Sequence, residues 1–218
     1  MRTFVTLYRG LTALLVFAVF FGTIAAEWGP GFSLANYVSF FTVQSNVIAG
    51  LVFAASAWAI GKGHRSGRLD AWRGAVVVYL VTTVTVYQAL LVDIAEVAAY
   101  SPPFLDFAFH RLVPAIVVLD WILFPPAHAV RFPQWLWWLV FPAAYLAYTL
   151  ARGPLAGDWY PYPFLDPTGG AGWPGALAGA TGVALFIIVL SALVAWSTRW
   201  LGHLWWASHP PSGTLDVR

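Results

Sequence analysis

The sequence contains no cysteine and few charged residues. Without cysteine, the chain has no disulfide, no thiolate metal ligand and no cysteine nucleophile. Its 218 residues include 11 Lys and Arg and 9 Asp and Glu, or 9% charged residues. An average soluble domain has roughly 25%. This fraction of charged residues is too low to cover the surface of a soluble protein, and 60% of the residues are hydrophobic. The composition therefore predicts a polytopic membrane protein whose apolar surface faces lipid.

The motifs of several common enzyme classes are also missing. There is no Gly-x-Ser-x-Gly elbow, no P-loop and no Gly-x-Gly-x-x-Gly after a strand. Of the five histidines, only His110 lies well within an apolar run, so we expect neither paired haem ligands nor a zinc site. The net charge of +2 is explained better by membrane orientation than by nucleic-acid binding. We therefore expect no metal, no cofactor and no nucleic-acid partner.

Six runs of mainly apolar residues are separated by charged residues, Pro and Gly, and each is about as long as a bilayer-crossing helix. They cover residues 8–26, 36–60, 73–92, 106–124, 135–150 and 175–196. The first run ends in two alanines, as a cleaved signal peptide does. Its apolar stretch is long for one, so we expect a retained helix. The runs predict an all-α fold, with one bundle of six transmembrane helices in residues 1–207 and a disordered cytoplasmic tail at 208–218.

Charges in the connecting segments indicate the orientation of the helices. If the N-terminus is inside, nine basic residues fall on the inner side: Arg2, Arg9, Lys62, Arg65, Arg68, Arg73, Arg131, Arg199 and Arg218. The outer side receives Arg152 and, at the start of the fourth run, Arg111. An excess of basic residues on one side marks the cytoplasmic face. We therefore predict a multi-pass protein of the cell membrane with both termini in the cytoplasm.

The second run has a face of small and polar residues. Spacings of three and four residues place six of them together on a helix. They are Ser39, Thr42, Ser45, Asn46, Ala49 and Gly50. Such a face should point into the bundle, away from lipid. Helix packing with internal hydrogen bonds explains the pattern, and a functional site containing Thr42 is the alternative.

The fourth run opens with a second group of polar residues. Asp106 and His110 are one helical turn apart, so the carboxylate can orient the imidazole. In the predicted topology, Thr42 and His110 lie at similar depths, roughly 9 Å and 6 Å below the outer boundary by helix rise. A threonine hydroxyl becomes a useful nucleophile when an adjacent base removes its proton. The spacing permits such a pair, whereas a lone membrane histidine is more often structural.

Other side chains near the outer ends of the runs are candidates for supporting roles. They are Gln44, Asn46, Gln88, Arg111, Tyr145, Tyr148 and Arg152, with Tyr160 and Tyr162 in the loop before the last run. The amides and Arg111 are candidate oxyanion donors. Tyr145 and Tyr148 belong to an aromatic stripe at helical spacing on the fifth run. Such a stripe is more often part of a protein core than a binding surface. The aromatic loop is expected to cap the site.

Two further features predict structural roles. Asp120 lies some 15 Å deeper than His110 by helix rise, and we expect it to pair with a base or an amide. Gly175, Gly179 and Gly182 form a face of small residues on the last run, which predicts close helix packing.

Several of these residues occur in an order that resembles a known family. The ordered set is Phe40-Phe41-Thr42, then His110 shortly before Pro114, then Trp159-Tyr160-Pro161-Tyr162-Pro163-Phe164-Leu165-Asp166. Over nearly the whole chain it resembles the androgen-induced gene and androgen-dependent tissue-factor-pathway-inhibitor-regulating protein family, and most of all that family's bacterial relatives. The resemblance implies a six-span intramembrane threonine hydrolase of the bacterial inner membrane. By position, the nucleophile is Thr42 and its partner is His110.

Because the animal members hydrolyse fatty acid esters of hydroxy fatty acids, the resemblance implies a long-chain lipid ester as substrate and membrane lipids as partners. The leading alternative is a non-enzymatic membrane protein that binds a lipid or small molecule, or a transporter. In that case the polar cluster would be a ligand pocket. Transporters often contain internal repeats, and the sequence shows none clearly.

Overall fold

The part of the chain that the structure describes is mostly helical, as the apolar runs predict. The computed structural model describes residues 1–64, 66–92, 102–126 and 129–208, with side chains through residue 201. No strand occurs in these parts of the chain. The all-α prediction is therefore confirmed. The predicted tail at 208–218 lies outside the described residues, apart from Ser208, which is the last residue of the final helix.

Eight α-helices form the structure, counted over the described residues. They are α1 (Arg2–Glu27), α2 (Leu34–Tyr37), α3 (Phe41–Gly61), α4 (Gly67–Val86), α5 (Pro103–Phe107), α6 (Val113–Leu123), α7 (Val140–Leu155) and α8 (Gly172–Ser208). Two π-helical turns, Tyr87–Leu91 and Ala108–Leu112, extend α4 and join α5 to α6. Two 3-10 turns, Gln134–Leu139 and Pro163–Leu165, precede α7 and α8.

Among the described residues, four helical segments are long and apolar enough to cross a membrane, judged by length and composition. They are Arg2–Glu27, Phe41–Gly61, Gly67–Leu91 and Gly172–Leu201. The other two predicted spans fall on residues with mixed hydrogen-bond geometry, a feature that the end of Gly67–Leu91 shares through its π-helical turn. Residues 103–123 change from α to π and back, and residues 134–155 begin as a 3-10 turn. Part of the change has a physical cause, because the Pro114 ring clashes with the carbonyl of residue 110 in a regular α-helix.

The helix that carries Thr42 begins five residues later than the sequence predicts. Backbone geometry is extended at Phe40, and α3 starts at Phe41 instead of residue 36. Side chains bind two of the carbonyls in this interruption. The Gln44 amide donates to the Val38 carbonyl (2.9 Å), and the Tyr145 hydroxyl donates to the Ser39 carbonyl (3.0 Å). Thr42 therefore lies in the first turn of its helix and not in the second.

The polar face predicted on this helix is buried. Ser39, Thr42, Ser45 and Asn46 are all less than one-tenth exposed, as is Ala49. The face continues into a close helix contact, since a Cβ at Gly50 would lie 2.9 Å from Val16 of α1. The prediction that this face points into the bundle is therefore confirmed.

A buried ion-pair network joins three helices at the opposite end of the bundle from Thr42. Asp120 of α6 accepts from Arg9 of α1 (2.9 Å) and from Arg73 of α4 (2.6 Å). The expected pairing of Asp120 with a base is confirmed. Arg9 and Arg73 are only 4% and 2% exposed. These two arginines, which the charge pattern assigns to the inner side, therefore hold the interior of the bundle together.

The loop between α7 and α8 packs closely against both helices through glycines. A Cβ at Gly153 would lie 2.1 Å from the Tyr160 ring, and one at Gly179 would lie 2.5 Å from the Phe164 carbonyl oxygen. By contrast, a Cβ at Gly182 meets nothing within 4 Å. The small-residue face of the last helix therefore provides close approaches at two positions, at Gly175, where a Cβ would lie 2.4 Å from the Ala171 Cβ, and at Gly179. Both neighbours belong to this loop and not to another helix.

The Asp120 carboxylate is shared by two buried guanidinium groups, so removal of its charge should destabilise the fold. Asp120→Asn keeps the side-chain shape but leaves the buried Arg9 without a counter-charge and the buried Arg73 with Asp70 alone. We expect it to lower the free energy of unfolding by about 3–5 kcal/mol. Denaturant unfolding in detergent micelles measures the change. Asp158→Asn, at an exposed loop position, is the matched control and should have little effect. Equal stability of the two variants would contradict the assigned role.

Candidate active site

Thr42 and His110 meet at one end of the bundle. The Thr42 Oγ1 atom lies 3.3 Å from His110 Nε2, within hydrogen-bond distance. Thr42 is in the first turn of α3, and His110 is in the π-helical turn between α5 and α6. The structure thus brings the two side chains together as expected. The depths calculated from the sequence do not explain this contact. The structure starts α3 at Phe41 and not at residue 36, and it starts the helical segment of His110 at Pro103 and not at residue 106.

Asp106 binds the other nitrogen of the same imidazole. His110 Nδ1 lies 2.9 Å from Asp106 Oδ1, one helical turn away. An ionised carboxylate only accepts hydrogen bonds, so the imidazole proton belongs on Nδ1. Nε2 then presents its lone pair to the Thr42 hydroxyl. The three side chains form a hydroxyl–imidazole–carboxylate chain of the type that activates a nucleophile.

Tyr87 completes this chain on the side of α4. Its hydroxyl donates to Asp106 Oδ2 (2.9 Å), and its ring stacks on His110 with centroids 3.9 Å apart and planes inclined by 18°. The two contacts hold the carboxylate and the imidazole in place together. Tyr87 was not among the residues predicted for the site. A tyrosine at the end of an apolar run is ordinary at a membrane interface, so nothing distinguished it.

Asn46 and Ser45 fix the backbone of Thr42. The Asn46 amide donates to the carbonyls of Thr42 (2.8 Å) and Phe109 (3.3 Å), which links the helix of the hydroxyl to that of the imidazole. The Ser45 hydroxyl donates to the Thr42 carbonyl (3.1 Å) and lies 3.2 Å from the Thr83 hydroxyl of α4. Asn46 is therefore a positioning residue in this site, since its amide protons are already engaged.

Tyr162 reaches Thr42 from the loop before α8. The Thr42 N–H, which has no carbonyl partner in the first turn of a helix, donates to the Tyr162 hydroxyl (3.3 Å). The ring contacts Phe40 edge-on and stacks on Phe164. Burial raises the pKa of the Tyr162 hydroxyl, so this group stays protonated near neutral pH. A neutral hydroxyl donor therefore lies beside the Thr42 side chain.

An apolar cavity of about 250 Å³ begins at these residues. Thr42 and Tyr162 line its polar end, and the rest of its wall comes from α4, α7, α8 and the loop. On α8 the lining runs from Ala180 to Ile188, about 12 Å by helix rise. Ala143, Ala184 and Ile188 are wall residues that are also exposed on the outside of the bundle. The cavity therefore opens sideways between α7 and α8.

Two other candidates bind each other beside this group. With the Gln88 amide oxygen turned towards Arg111, it accepts from Nε (3.2 Å) and Nη2 (2.9 Å) of the guanidinium. The same guanidinium lies 5.3 Å from the centroid of the Tyr87 ring. Arg111 and Gln88 therefore support the Tyr87 side of the site and are not aimed at Thr42.

The remaining candidates stabilise the segment that precedes Thr42. Tyr148 lies 2.7 Å from the Ser39 hydroxyl, and Arg152 donates to the Asn36 side chain (2.6 Å) while covering the Trp159 ring. Gln44 and Tyr145 bind the backbone of the interruption before α3, as described above. Tyr160 packs on Gly153 and is not part of the cavity wall.

No family model matches the chain, and neither a curated protein nor a solved structure matches it. Across the described residues, no three or more His, Asp or Glu side chains are grouped so that they could hold a metal ion. The chemical interpretation of the site therefore depends on its own geometry.

That geometry makes a spectroscopic prediction. In protein labelled with ¹⁵N-histidine, the neutral ring of His110 should carry its proton on Nδ1 and none on Nε2, because Asp106 accepts at Nδ1. Loss of the signals in His110→Gln assigns them. Asp106→Ala should shift both ring nitrogen signals, whereas Asp158→Ala should leave them unchanged. A ring protonated on Nε2 in the wild-type protein would contradict the arrangement.

Proposed function

We propose that this protein is an intramembrane hydrolase of lipid esters, with Thr42 as nucleophile and His110 as general base. The observation that carries the proposal is the Asp106–His110–Thr42 chain at the polar end of an apolar cavity. A structural role alone explains each contact separately. It does not explain why an aligned carboxylate, imidazole and hydroxyl end where a large apolar cavity begins.

The proposed reaction has two steps. The Thr42 hydroxyl gives its proton to His110 Nε2 while its oxygen bonds to the ester carbonyl carbon. The tetrahedral intermediate then expels the alkoxide, which takes the proton from Nε2 and leaves as an alcohol. A water molecule next gives a proton to Nε2 and adds to the acyl carbon. Cleavage of the acyl–threonine bond releases the free acid, and the Thr42 oxygen takes the proton back from Nε2, which restores both side chains.

Tyr162 is the best-placed group to stabilise the negative oxygen of the tetrahedral intermediate. Its oxygen accepts from the Thr42 N–H, so its own proton remains available to a substrate oxygen beside Thr42. Gln44, Asn46, Gln88 and Arg111 are engaged elsewhere by their hydrogen bonds. We therefore assign the role to Tyr162, which the sequence analysis included only as a supporting residue.

The cavity indicates the class of substrate. An acyl chain placed with its carbonyl at Thr42 would extend between α7 and α8 against aliphatic side chains such as Val183 and Ile187. The sideways opening permits entry from the lipid phase without passage through water. The ordered Thr42 and His110 that resemble the threonine hydrolase family support the same class, a long-chain lipid ester. We place the reaction in the outer half of a six-span bundle whose termini are cytoplasmic, in a bacterial inner membrane.

A second candidate function is binding of a lipid or small molecule without chemistry, and the cavity itself favours it. This alternative requires an apolar pocket and no activated hydroxyl. The two functions separate in the Thr42→Ala variant. A binding protein keeps its ligand and its function in this variant, whereas a hydrolase keeps the ligand and loses turnover.

Removal of the nucleophile or of the base should abolish hydrolysis. In purified protein with a branched fatty acid ester of a hydroxy fatty acid, we expect Thr42→Ala and His110→Gln each to lower kcat by about 10³-fold or more. Release of free fatty acid, measured by mass spectrometry, provides the readout. Asp106→Asn should also reduce kcat strongly, because the imidazole loses its orienting carboxylate.

Thr12→Ala is the matched control for the nucleophile. Thr12 is also buried, and its hydroxyl bonds only to a carbonyl of its own helix among the contacts of the described residues. This variant should keep wild-type turnover. Thermal unfolding of every variant in detergent establishes that the protein remains folded. If folded Thr42→Ala released acid at the wild-type rate, Thr42 would not be the nucleophile.

Tyr162→Phe should lower kcat more than it weakens substrate binding. Loss of one oxyanion donor typically lowers kcat by about 10²–10³-fold, with KM changed little because the hydrogen bond strengthens in the transition state. Steady-state kinetics on the same ester separates the two parameters. Tyr8→Phe is the matched control, since it removes a hydroxyl that bonds to the Ile116 carbonyl (2.8 Å) at the other end of the bundle. A rise in KM alone would assign Tyr162 to substrate binding instead.

A further inference from the structure

A second cavity lies at the end of the bundle opposite Thr42. It has a volume of about 220 Å³ and is formed by the starts of α1 and α4, the end of α3 and the residues after α6. Its wall includes Arg2, Arg9 and Arg73, together with Asp70 and Ser56. Unlike the cavity at Thr42, it therefore combines several charged groups with a hydroxyl. The proposed hydrolysis makes no use of it.

A buried hydroxyl in this wall has no protein partner. Ser56 is 2% exposed, and its oxygen makes no hydrogen bond within the part of the chain that the structure describes. A buried polar group without a partner costs free energy, so such groups normally bind something. Arg9 has five N–H donors, and its bonds to Asp120 use only those on Nε and Nη2. The wall thus has hydrogen-bond donors beyond those that the ion-pair network uses.

The charges of the wall and its network do not balance. Counting side chains and taking histidine as neutral, the cations are Arg2, Arg9 and Arg73, and the anions are Asp70 and Asp120. One positive charge therefore remains. It is supplied by the exposed Arg2, because the buried Arg9 and Arg73 are paired with Asp120 and Asp70. A ligand with one negative charge would neutralise it. Guanidinium groups match the oxygens of phosphate and carboxylate groups, and phosphate offers more acceptors to a hydroxyl.

We propose that this cavity binds a singly charged phosphate group. A phosphodiester has one negative charge and is joined to apolar groups in a lipid. The cavity mixes its arginines with apolar residues such as Val5, Ile60 and Leu69, which suits the start of a lipid chain. The headgroup of a glycerophospholipid and free phosphate share the recognised chemistry. The site is separate from Thr42 and does not depend on the proposed hydrolysis.

Binding to the full-length protein in a maltoside detergent tests the proposal. Isothermal titration calorimetry is carried out with short-chain phosphatidylglycerol, with the corresponding diacylglycerol and with inorganic phosphate. We expect phosphatidylglycerol to bind and the diacylglycerol, which lacks the phosphate, not to bind. Binding of inorganic phosphate with similar affinity would identify free phosphate as the ligand. Failure of both phosphatidylglycerol and inorganic phosphate to bind would overturn the proposal.

Three variants locate the binding. Arg2→Gln should weaken the affinity about fivefold, as expected for the loss of one basic group near an anion. Ser56→Ala should weaken it a few-fold through the lost hydrogen bond. Arg68→Gln removes the same charge from an exposed position of α4 outside the cavity wall, and it should bind like wild type.

Two outcomes with these variants would also overturn the proposal. An equal loss of affinity in Arg68→Gln and Arg2→Gln would show attraction to the basic surface in general. Unchanged affinity in Ser56→Ala together with Arg2→Gln would place the ligand elsewhere. Ester hydrolysis should be the same in all three variants. A loss of hydrolysis without a loss of phosphatidylglycerol binding would concern the enzyme and not this site.

Discussion

Burial of charge in a low-dielectric interior sets the arrangement of the helices. Asp120 is 1% exposed and binds Arg73 of α4 at one end of the bundle. Asp106, on the same helical segment as Asp120, binds Tyr87 at the other end. Tyr87 lies fourteen residues after Arg73, and Asp106 lies fourteen residues before Asp120. Because both spacings are equal, two antiparallel helices are fastened at both ends in one register. That register determines which way His110 faces.

The interruption before α3 has a comparable importance for Thr42. A regular helix from residue 36 would have satisfied the Thr42 N–H with a carbonyl one turn earlier. Because of the break, the Thr42 N–H is free to donate to Tyr162. The carbonyls of Val38 and Ser39 accept hydrogen bonds from side chains of α3 and α7 instead. One local departure from helical geometry therefore brings the loop hydroxyl to the threonine. The close approach at Gly179 then keeps the loop in place against α8.

The calculated depths permitted a contact between Thr42 and His110 but did not establish it, because both helices start elsewhere than predicted. Composition and periodicity were sufficient for the helical fold and for the buried face of the second run. These features depend on local spacing, which a sequence displays directly. The start of α3 was not predictable, because no proline or glycine lies between residues 34 and 41. The stacking of Tyr87 on His110 was not predictable either. The loop of Tyr162 was expected to cap the site, but the hydrogen bond between its hydroxyl and the Thr42 N–H was not predictable. Both depend on how distant segments pack, and both residues are ordinary ones for the ends of membrane helices.

The environment of the basic residues was not predictable for the same reason, because it depends on how distant segments pack. Arg9 and Arg73 fit a charge pattern that usually reflects topology, and the pattern contained no sign that Asp120 would bury them. Their positions along the chain indicated the inner side of the membrane, but nothing in those positions indicated that their side chains would be buried. A buried acid within an apolar run was the available signal that some base had to enter the interior.

The apolar wall of the cavity at Thr42 has a consequence for what can remain there. An ester is uncharged and can lie against aliphatic side chains at little cost. Its hydrolysis creates a carboxylate, and a charge without a partner is strongly disfavoured in such surroundings. The nearest guanidinium groups of α7 and the fourth run are already bound to Asn36 and Gln88. For such a substrate the cavity would expel its own acid product, so turnover would resist product inhibition even where free fatty acid accumulates in the surrounding membrane.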